Sequence, residues 1–334
     1  MTDNNPLLDA LGARGVLISV SVRYWRARKK LNPEDLGLSR DQVNDRLISL
    51  GHKRLLPKET LQELALVESR AHAAVEESTF PFLNIARYLP NPKLQTVTDR
   101  LDELRLGFER ARSTFLDNYA DLRDNALQEW RATADDLGVE PALLVSRIDA
   151  AFPPLDRMDR YFGFSVNLFQ VAVPDIPQVE LIERATQQEV IAARESAVVA
   201  ARHAIQQSCQ DFIADSVTTL REQTARLCEE MLETISGSGS VHQKTLNRLA
   251  RFIDQFSELN FMNDEQMTEQ LQRARQQFLS RTADQYRDSD AARQKLVSGL
   301  TALRDRARTM AAEDATQLVE QFGQMGRRRF QLAA

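Results

Sequence analysis

Cysteine is almost absent from this sequence. Two residues, Cys209 and Cys228, in a chain of 334 cannot build a disulfide framework. On a single helix they would be separated by roughly 28 Å and about 100° of rotation, too far to bond to each other. Reduced thiols in a cytoplasmic setting are therefore expected. Glycine and proline are scarce as well, with 12 and 11 residues. Most prolines fall between residues 81 and 177, which leaves the remainder free to form long uninterrupted helices. No apolar run approaches the width of a bilayer. The longest, Val16–Val22, includes Ser19 and Ser21, so no membrane span is expected. The first residues include acids and lack the basic-then-apolar pattern of an export signal. An excess of positive charge is missing too. The formal net charge of -5 argues against bulk electrostatic binding to nucleic acid, although local basic patches are compatible with it.

The residue types that do chemistry are present without the spacings chemistry needs. His52, His72, His203 and His242 are scattered, and none stands at metal-ligand spacing from another His or Cys. His203 and Cys209, six apart, point to different faces of a helix. Asp284, Asp288 and Asp290 imitate a calcium loop, but the sixth position is Ser289 where glycine is needed and the twelfth is Lys295 where glutamate is needed. Gly237 and Gly239 have no following lysine and no preceding strand, so they read as a turn, not a phosphate loop. We therefore expect no catalytic residues, no cofactor and no metal site.

What is present is periodicity. Val16, Ile18, Val20, Val22 and Tyr24 alternate with Ser19, Ser21, Arg23 and Trp25, the pattern of a half-buried strand. Phe162, Phe164, Val166 and Leu168 repeat it, and Phe80–Leu89 reads as a third strand despite Pro81. Helices fill the rest. One starts at Pro57–Glu59 and runs to about Glu77. From Pro92 to Leu137, apolar residues from Val97 and Leu101 through Phe108, Phe115 and Trp130 recur at steps of three and four, predicting one long helix ended by Gly138. After Pro177 the chain reads as helix, with Leu220, Leu227, Met231 and Ile235 approaching a turn at 236–240 and Leu246, Leu249, Phe252 and Phe256 leaving it. The expected fold is mainly α with a small β-sheet, elongated, with long helical hairpins packed in coiled-coil fashion. Its expected division is an α+β region over 1–175, with the long helix at about 92–137, and an extended helical region over 176–334. A share of the apolar stripe facing a second copy would make a homo-oligomer.

Two basic segments are the candidate macromolecule-binding residues. Arg23, Trp25, Arg26, Arg28, Lys29 and Lys30 interleave cations with an aromatic, and Lys53 and Arg54 add charge further along. Such a set can neutralise phosphates and stack on bases. The plainer reading, which we favour, is an edge strand whose cations deter aggregation. Arg327, Arg328 and Arg329 close the last helix, where they suit either the helix macrodipole or an acidic partner.

The stretches Val16–Val22, Trp25–Leu31, Pro33–Gly37, Ser49–Leu55, Phe80–Leu83 and Tyr161–Phe164 together resemble a family of uncharacterised, mostly helical proteins of bacteria, phages and integrative elements. The resemblance covers about the first 175 residues. Genes of that family tend to neighbour MoxR-type AAA+ ATPases and von Willebrand A-domain proteins. The resemblance supplies no catalytic residues and implies protein partners of those two kinds. The expected function is a non-enzymatic structural or adaptor subunit of a macromolecular assembly, working with a MoxR-like AAA+ ATPase in a mobile-element or antiphage-defence context. The alternative is a nucleic-acid-associated protein that uses the basic patches at 23–30 and 327–329.

Overall fold

The computed structural model describes residues 6–44, 46–83, 85–170, 185–313 and 315–332. In chain order it contains α1 (Pro6–Arg14), β1 (Gly15–Arg23), β2 (Arg28–Lys30), β3 (His52–Arg54), α2 (Gln62–Glu76), β4 (Phe80–Phe82) and β5 (Ala86–Pro90). Then come α3 (Asn91–Asp117), α4 (Tyr119–Leu137), α5 (Pro141–Asp149) and β6 (Gly163–Phe169). The remainder is helical: α6 (Ala185–Ser238), α7 (Gln243–Leu259), α8 (Glu265–Phe278), α9 (Ala283–Arg287), α10 (Asp290–Ala312) and α11 (Thr316–Leu332). The fold is mainly α with a small antiparallel sheet, as the periodicities predict. No described helix is long and apolar enough to cross a membrane.

The chain does not divide near residue 175. One compact unit comprises Met1–Ile18, Ser78–Gln95 and Leu168–Ala334; the other comprises Ser19–Glu77 and Thr96–Asn167. A boundary at 175 fails because α1 and the β4–β5 hairpin bury their apolar residues with the C-terminal helices. Leu7, Leu8, Leu11, Phe80, Phe82 and Tyr88 belong to the same hydrophobic cluster as Phe212, Leu249, Leu300 and Phe322. Periodicity along a segment shows that it has a buried face but not which distant face meets it.

In the first unit, α6 spans 54 residues, about 80 Å at the rise of an α-helix. Its principal neighbour is α10, which runs antiparallel to it. Arg221 meets the carbonyl of Met310, Arg308 pairs with Glu229, and Arg293 donates to the carbonyl of Gly239 at 3.2 Å. The helix α7 also folds back along α6, with Arg248 paired to Glu230 and the ring of Phe261 stacked on that of Phe212 at 6.0 Å. The expected turn at 236–240 lies later, at 239–242. Ser238 stays helical, its hydroxyl donating to the carbonyl of Thr234 at 2.7 Å, and Gly239 takes the left-handed conformation (φ 65°) that ends the helix. Gly299 in α10 lies under the ring of Phe278, where even one methyl would collide, so its missing side chain sets how closely α8 and α10 approach. Here Gly15–Ile18 of β1 pair antiparallel with Arg87–Pro90 of β5, which also pairs antiparallel with β4. The segment 80–89, expected as one strand, is a hairpin of two. Leu83 at φ 50° turns the chain, and Pro81 is tolerated because β4 is an edge.

In the second unit, Trp25 is the centre of an aromatic cluster with Phe115, Tyr119 and Phe152 at centroid distances of 6.2, 6.0 and 5.8 Å. The helix expected over 92–137 is interrupted at Asn118, which separates α3 from α4 (φ -97°, ψ 3°). The side-chain amide of Asn118 donates to the carbonyl of Thr114 at 2.7 Å, while its backbone N–H reaches the same oxygen only at 3.3 Å. Such local competition for a helical acceptor is the reason asparagine weakens helix interiors. Gly138 (φ 65°) then ends α4, and Glu140 caps α5 by accepting from the backbone N–H groups of Ala142 and Leu143. The two helices pack as a short hairpin joined by the ion pair Arg123–Asp149 at 2.5 Å.

Candidate functional site

The second unit carries a groove of about 760 Å³ beside the small two-stranded ribbon β2–β3. Its cationic wall is formed by Arg26, Arg28, Arg54 and Lys58, with Glu59 as the one acid among the lining residues. Leu56, Pro57, Leu61, Ala65 and Leu66 supply an apolar floor. Leu56 and Leu61 are buried, whereas Leu66 is 46% exposed.

Three-residue strands are marginal by themselves, and the ribbon is fastened from outside. On one face Lys53 is buried and pairs with the buried Asp35 at 2.6 Å. The same carboxylate accepts from the backbone N–H of Asn32 at 2.9 Å, which fixes the turn that precedes it. At the ribbon's ends, the backbone N–H of Leu31 donates to Gly51 and that of Leu55 donates to Ala27 at 2.7 Å. Ala27 is held in the left-handed region at φ 49° while almost fully buried. For a residue with a Cβ this backbone is sparsely populated, and surrounding structure must enforce it. Its effect is to turn the chain between Arg26 and Arg28, so that both line the groove.

Arg26 is already engaged. Its guanidinium makes a bidentate pair with Glu68, with one contact of 2.8 Å and a second of 2.5 Å, donates to the hydroxyl of Tyr24, and lies 3.9 Å above the Tyr24 ring. The hydrogen bonds from Arg26 hold the Glu68 carboxyl below the usual glutamate range, and the same bonds raise Arg26 above its ordinary value. Desolvation dominates at Tyr24 and pushes its phenol up. Because the Glu68 value is depressed in the fold, the pair's contribution is fully present above the ordinary glutamate value of about 4.3 and is lost as pH falls through the lower folded value. Glu68 chemical shifts followed by NMR should therefore show a titration midpoint below that ordinary value, and Arg26→Gln should move the midpoint upward. A midpoint at or above the ordinary value would exclude the pair as drawn.

Arg28, Arg54 and Lys58 make no ion pair among the described residues. Arg28 and Arg54 are direct cross-strand partners, as are Lys30 and His52. Like charges directly opposite each other destabilise a strand pair. Arg54 also has its backbone anchored, its carbonyl accepting from the Trp130 indole at 3.2 Å.

The structure brings only part of the sequence-based set together. Arg26 and Arg28 line the groove; Lys29 and Lys30 are exposed on β2 but are not among its lining residues. Arg23 is exposed at the end of β1, beside Gly163. Trp25 is corrected. It is 6% exposed and enclosed by three aromatic rings, so it cannot stack on a base. Arg327, Arg328 and Arg329 fall within α11, and their side chains lie outside the described residues. Sequence reading missed Lys58 and Glu68. Lys58 had a signal, since it follows the Pro57 that starts the next helical segment.

The first unit has a smaller cavity, of about 440 Å³, lined by Asp9, Arg14, Asn91, Ser257, Asn260 and their neighbours. Arg14, Asn91 and Glu258 have internal partners. Arg14 donates to the carbonyl of Phe261 and the thioether of Met325, Asn91 donates to the carbonyl of Ala13, and Glu258 pairs with Lys93. Among the described residues no group of three or more His, Cys, Asp or Glu side chains is placed to hold a metal ion. Cys209 and Cys228 are buried, and desolvation pushes their thiols up to about 11 and about 12, so neither is an activated nucleophile.

A family model described as a protein of unknown function, DUF3150, matches residues 13–305. The chain belongs to the DUF3150 family. Neither a curated protein nor a solved structure matches it. The match reaches into both units and includes every residue that lines the groove.

Proposed function

We propose that this chain is a non-enzymatic structural or adaptor subunit of a macromolecular assembly and that it docks a protein partner in the groove beside β2–β3. One observation carries the reading. Arg28, Arg54 and Lys58 make no ion pair among the described residues, and they stand on an anchored backbone next to the exposed Leu66. Charge complementarity directs encounter and register in interfaces, and an apolar anchor supplies affinity. The partner we propose is a MoxR-like AAA+ ATPase, with a von Willebrand A-domain protein as a further member, acting in the cytoplasm in a mobile-element or antiphage-defence setting. The family resemblance read from the sequence supports that choice.

The test begins with a tagged full-length chain recovered from its native cells with ATP present and absent. The partner identified by mass spectrometry is then purified and its affinity measured calorimetrically. Leu66→Asp should weaken it by about tenfold or more, the range for losing a central anchor. Equal affinity of the wild type and Leu66→Asp for the purified partner defeats the groove as the docking site.

The second reading, nucleic-acid association, rests on the exposed cations Arg28, Lys29 and Lys30 on one short strand. It requires binding whose logarithm falls linearly with the logarithm of salt concentration. Replacing those three with alanine, with Arg26 left in its pair, should flatten that slope if the reading holds.

A further inference from the structure

We infer that the groove is built for an acidic amphipathic peptide, with Arg28 and Arg54 forming a two-guanidinium fork for a carboxylate and Leu56, Leu61 and Leu66 receiving its apolar residues. The inference rests on the reading of the groove as the partner's site and specifies what occupies it.

Arg28 faces Arg54 directly across an antiparallel pair, and neither makes an ion pair among the described residues. Two like charges at the close spacing of opposed residues work against the ribbon that carries them. The ribbon survives because its other face is fastened by Lys53–Asp35 and its ends by the Leu31–Gly51 and Leu55–Ala27 hydrogen bonds. Two arginines opposed on one face of a fastened ribbon, neither with an internal anion, can both donate to one bound carboxylate, which would also offset any repulsion between them. Arg26 is not counted in the fork, because its charge is already paired with Glu68 and its ring-facing side donates to Tyr24. It serves as a rigid wall.

The rest of the groove selects a peptide over a nucleic acid. Stacking of bases needs open aromatic faces. Trp25 is enclosed, and Arg26 covers one face of the buried Tyr24 ring. The floor of Leu56, Leu61, Ala65 and Leu66 offers nothing to a phosphate backbone but suits the apolar face of a short helix laid into a groove. Glu59 places a negative charge among the lining residues, which disfavours an unbroken row of phosphates and is compatible with isolated carboxylates.

The test uses full-length protein and fluorescence anisotropy. The probes are a labelled peptide of about twelve residues with Glu and Leu at helical spacing, its Gln-for-Glu counterpart, and an oligothymidylate of equal negative charge. The glutamate peptide should bind, and the glutamine counterpart should bind about tenfold more weakly. Arg28→Gln and Arg54→Gln should each weaken the glutamate peptide by about fivefold or more while leaving the melting temperature unchanged or higher, because they remove a repulsion. A purely structural role for either arginine would lower it. Failure of the glutamate peptide to bind, equal binding of the glutamine peptide, or tighter binding of the oligothymidylate overturns the inference. So does a melting temperature that falls together with affinity. If Arg54→Gln keeps native affinity for the purified partner while Leu66→Asp loses it, the carboxylate fork is wrong and the groove reading stands. If neither variant loses affinity, the groove reading fails as well.

Discussion

Replacing Arg221 with methionine, with Asp264 left in place, should destabilise the helical unit built on α6 by about 3–5 kcal/mol, the range for stranding one member of a buried ion pair. Arg221 is 4% exposed and Asp264 2%. Nε of Arg221 donates to Asp264 at 2.7 Å, and Nη1 donates to the carbonyl of Met310 at 2.5 Å. Asp264 also caps α8, its other carboxylate oxygen accepting from the backbone N–H of Met267 at 3.1 Å. One guanidinium thus joins the middle of α6, the start of α8 and the last turns of α10. Losing it leaves a buried carboxylate with only its capping bond and an orphaned carbonyl near a helix end, and both losses are expensive. The pair Arg221→Met with Asp264→Asn should lose much less, because asparagine retains the cap and no buried charge remains. Chemical denaturation followed by circular dichroism decides the matter. A loss below about 1 kcal/mol for the single variant would mean that water reaches the site and that the pair behaves as an exposed one.

Phe261→Ala should cost a similar amount, about 3–5 kcal/mol, for a different reason. Phe261 is 4% exposed and sits at ring-centroid distances of 4.5 Å from Tyr88, 5.4 Å from Phe80, 5.9 Å from Phe322 and 6.0 Å from Phe212. It therefore fills the space between the β4–β5 hairpin, α6 and α11, and four separate elements would have to move to close the cavity left by alanine. Phe252, partly buried on the preceding helix, is the comparison. Phe252→Ala should cost clearly less, since solvent already covers part of the site. Equal losses at the two positions would show that the Phe261 cluster collapses easily. The Arg221 and Phe261 substitutions lie close to the same turn and should not be assumed additive.

Local pattern accounted for most of the elements and little of their assembly. The stripe Leu220, Leu227, Met231 and Ile235 marked α6, and its residues are buried. Nothing in that spacing could show that α10 is its principal neighbour, because any apolar stripe of matching pitch would serve. The strand pattern of 16–22 was legible for the ordinary reason that alternation has a period of two. In β2 and β3 it was not, since the three-residue runs Arg28–Lys30 and His52–Arg54 are polar throughout and carry no alternation to read. The groove shows the limit most clearly. Arg28 and Arg54 are 26 positions apart by number, and their opposition depends on a register set by Ala27, Leu31, Gly51 and Leu55 through backbone hydrogen bonds. Backbone hydrogen bonds of this kind leave almost no trace in side-chain composition. Trp25 failed as a candidate because a tryptophan beside arginines reads the same whether it packs inward or faces a ligand.

The interleaved division of the chain has a consequence for its synthesis. Every residue of the groove-bearing unit has been made once residue 167 is joined, so that unit can fold while the ribosome is still working. The other unit must wait. Leu7, Leu8, Leu11, Phe80, Phe82 and Tyr88 are finished early, but the cluster they enter is completed by residues as late as Val319 and Phe322. For the time needed to translate more than a hundred further residues, that early apolar surface has no native cover. A nascent chain arrested only after residue 167 has cleared the ribosomal exit tunnel should therefore already resist protease over 19–77 and 96–167 while remaining open at 6–18 and 78–95. Holdase chaperones should be found on those two short segments.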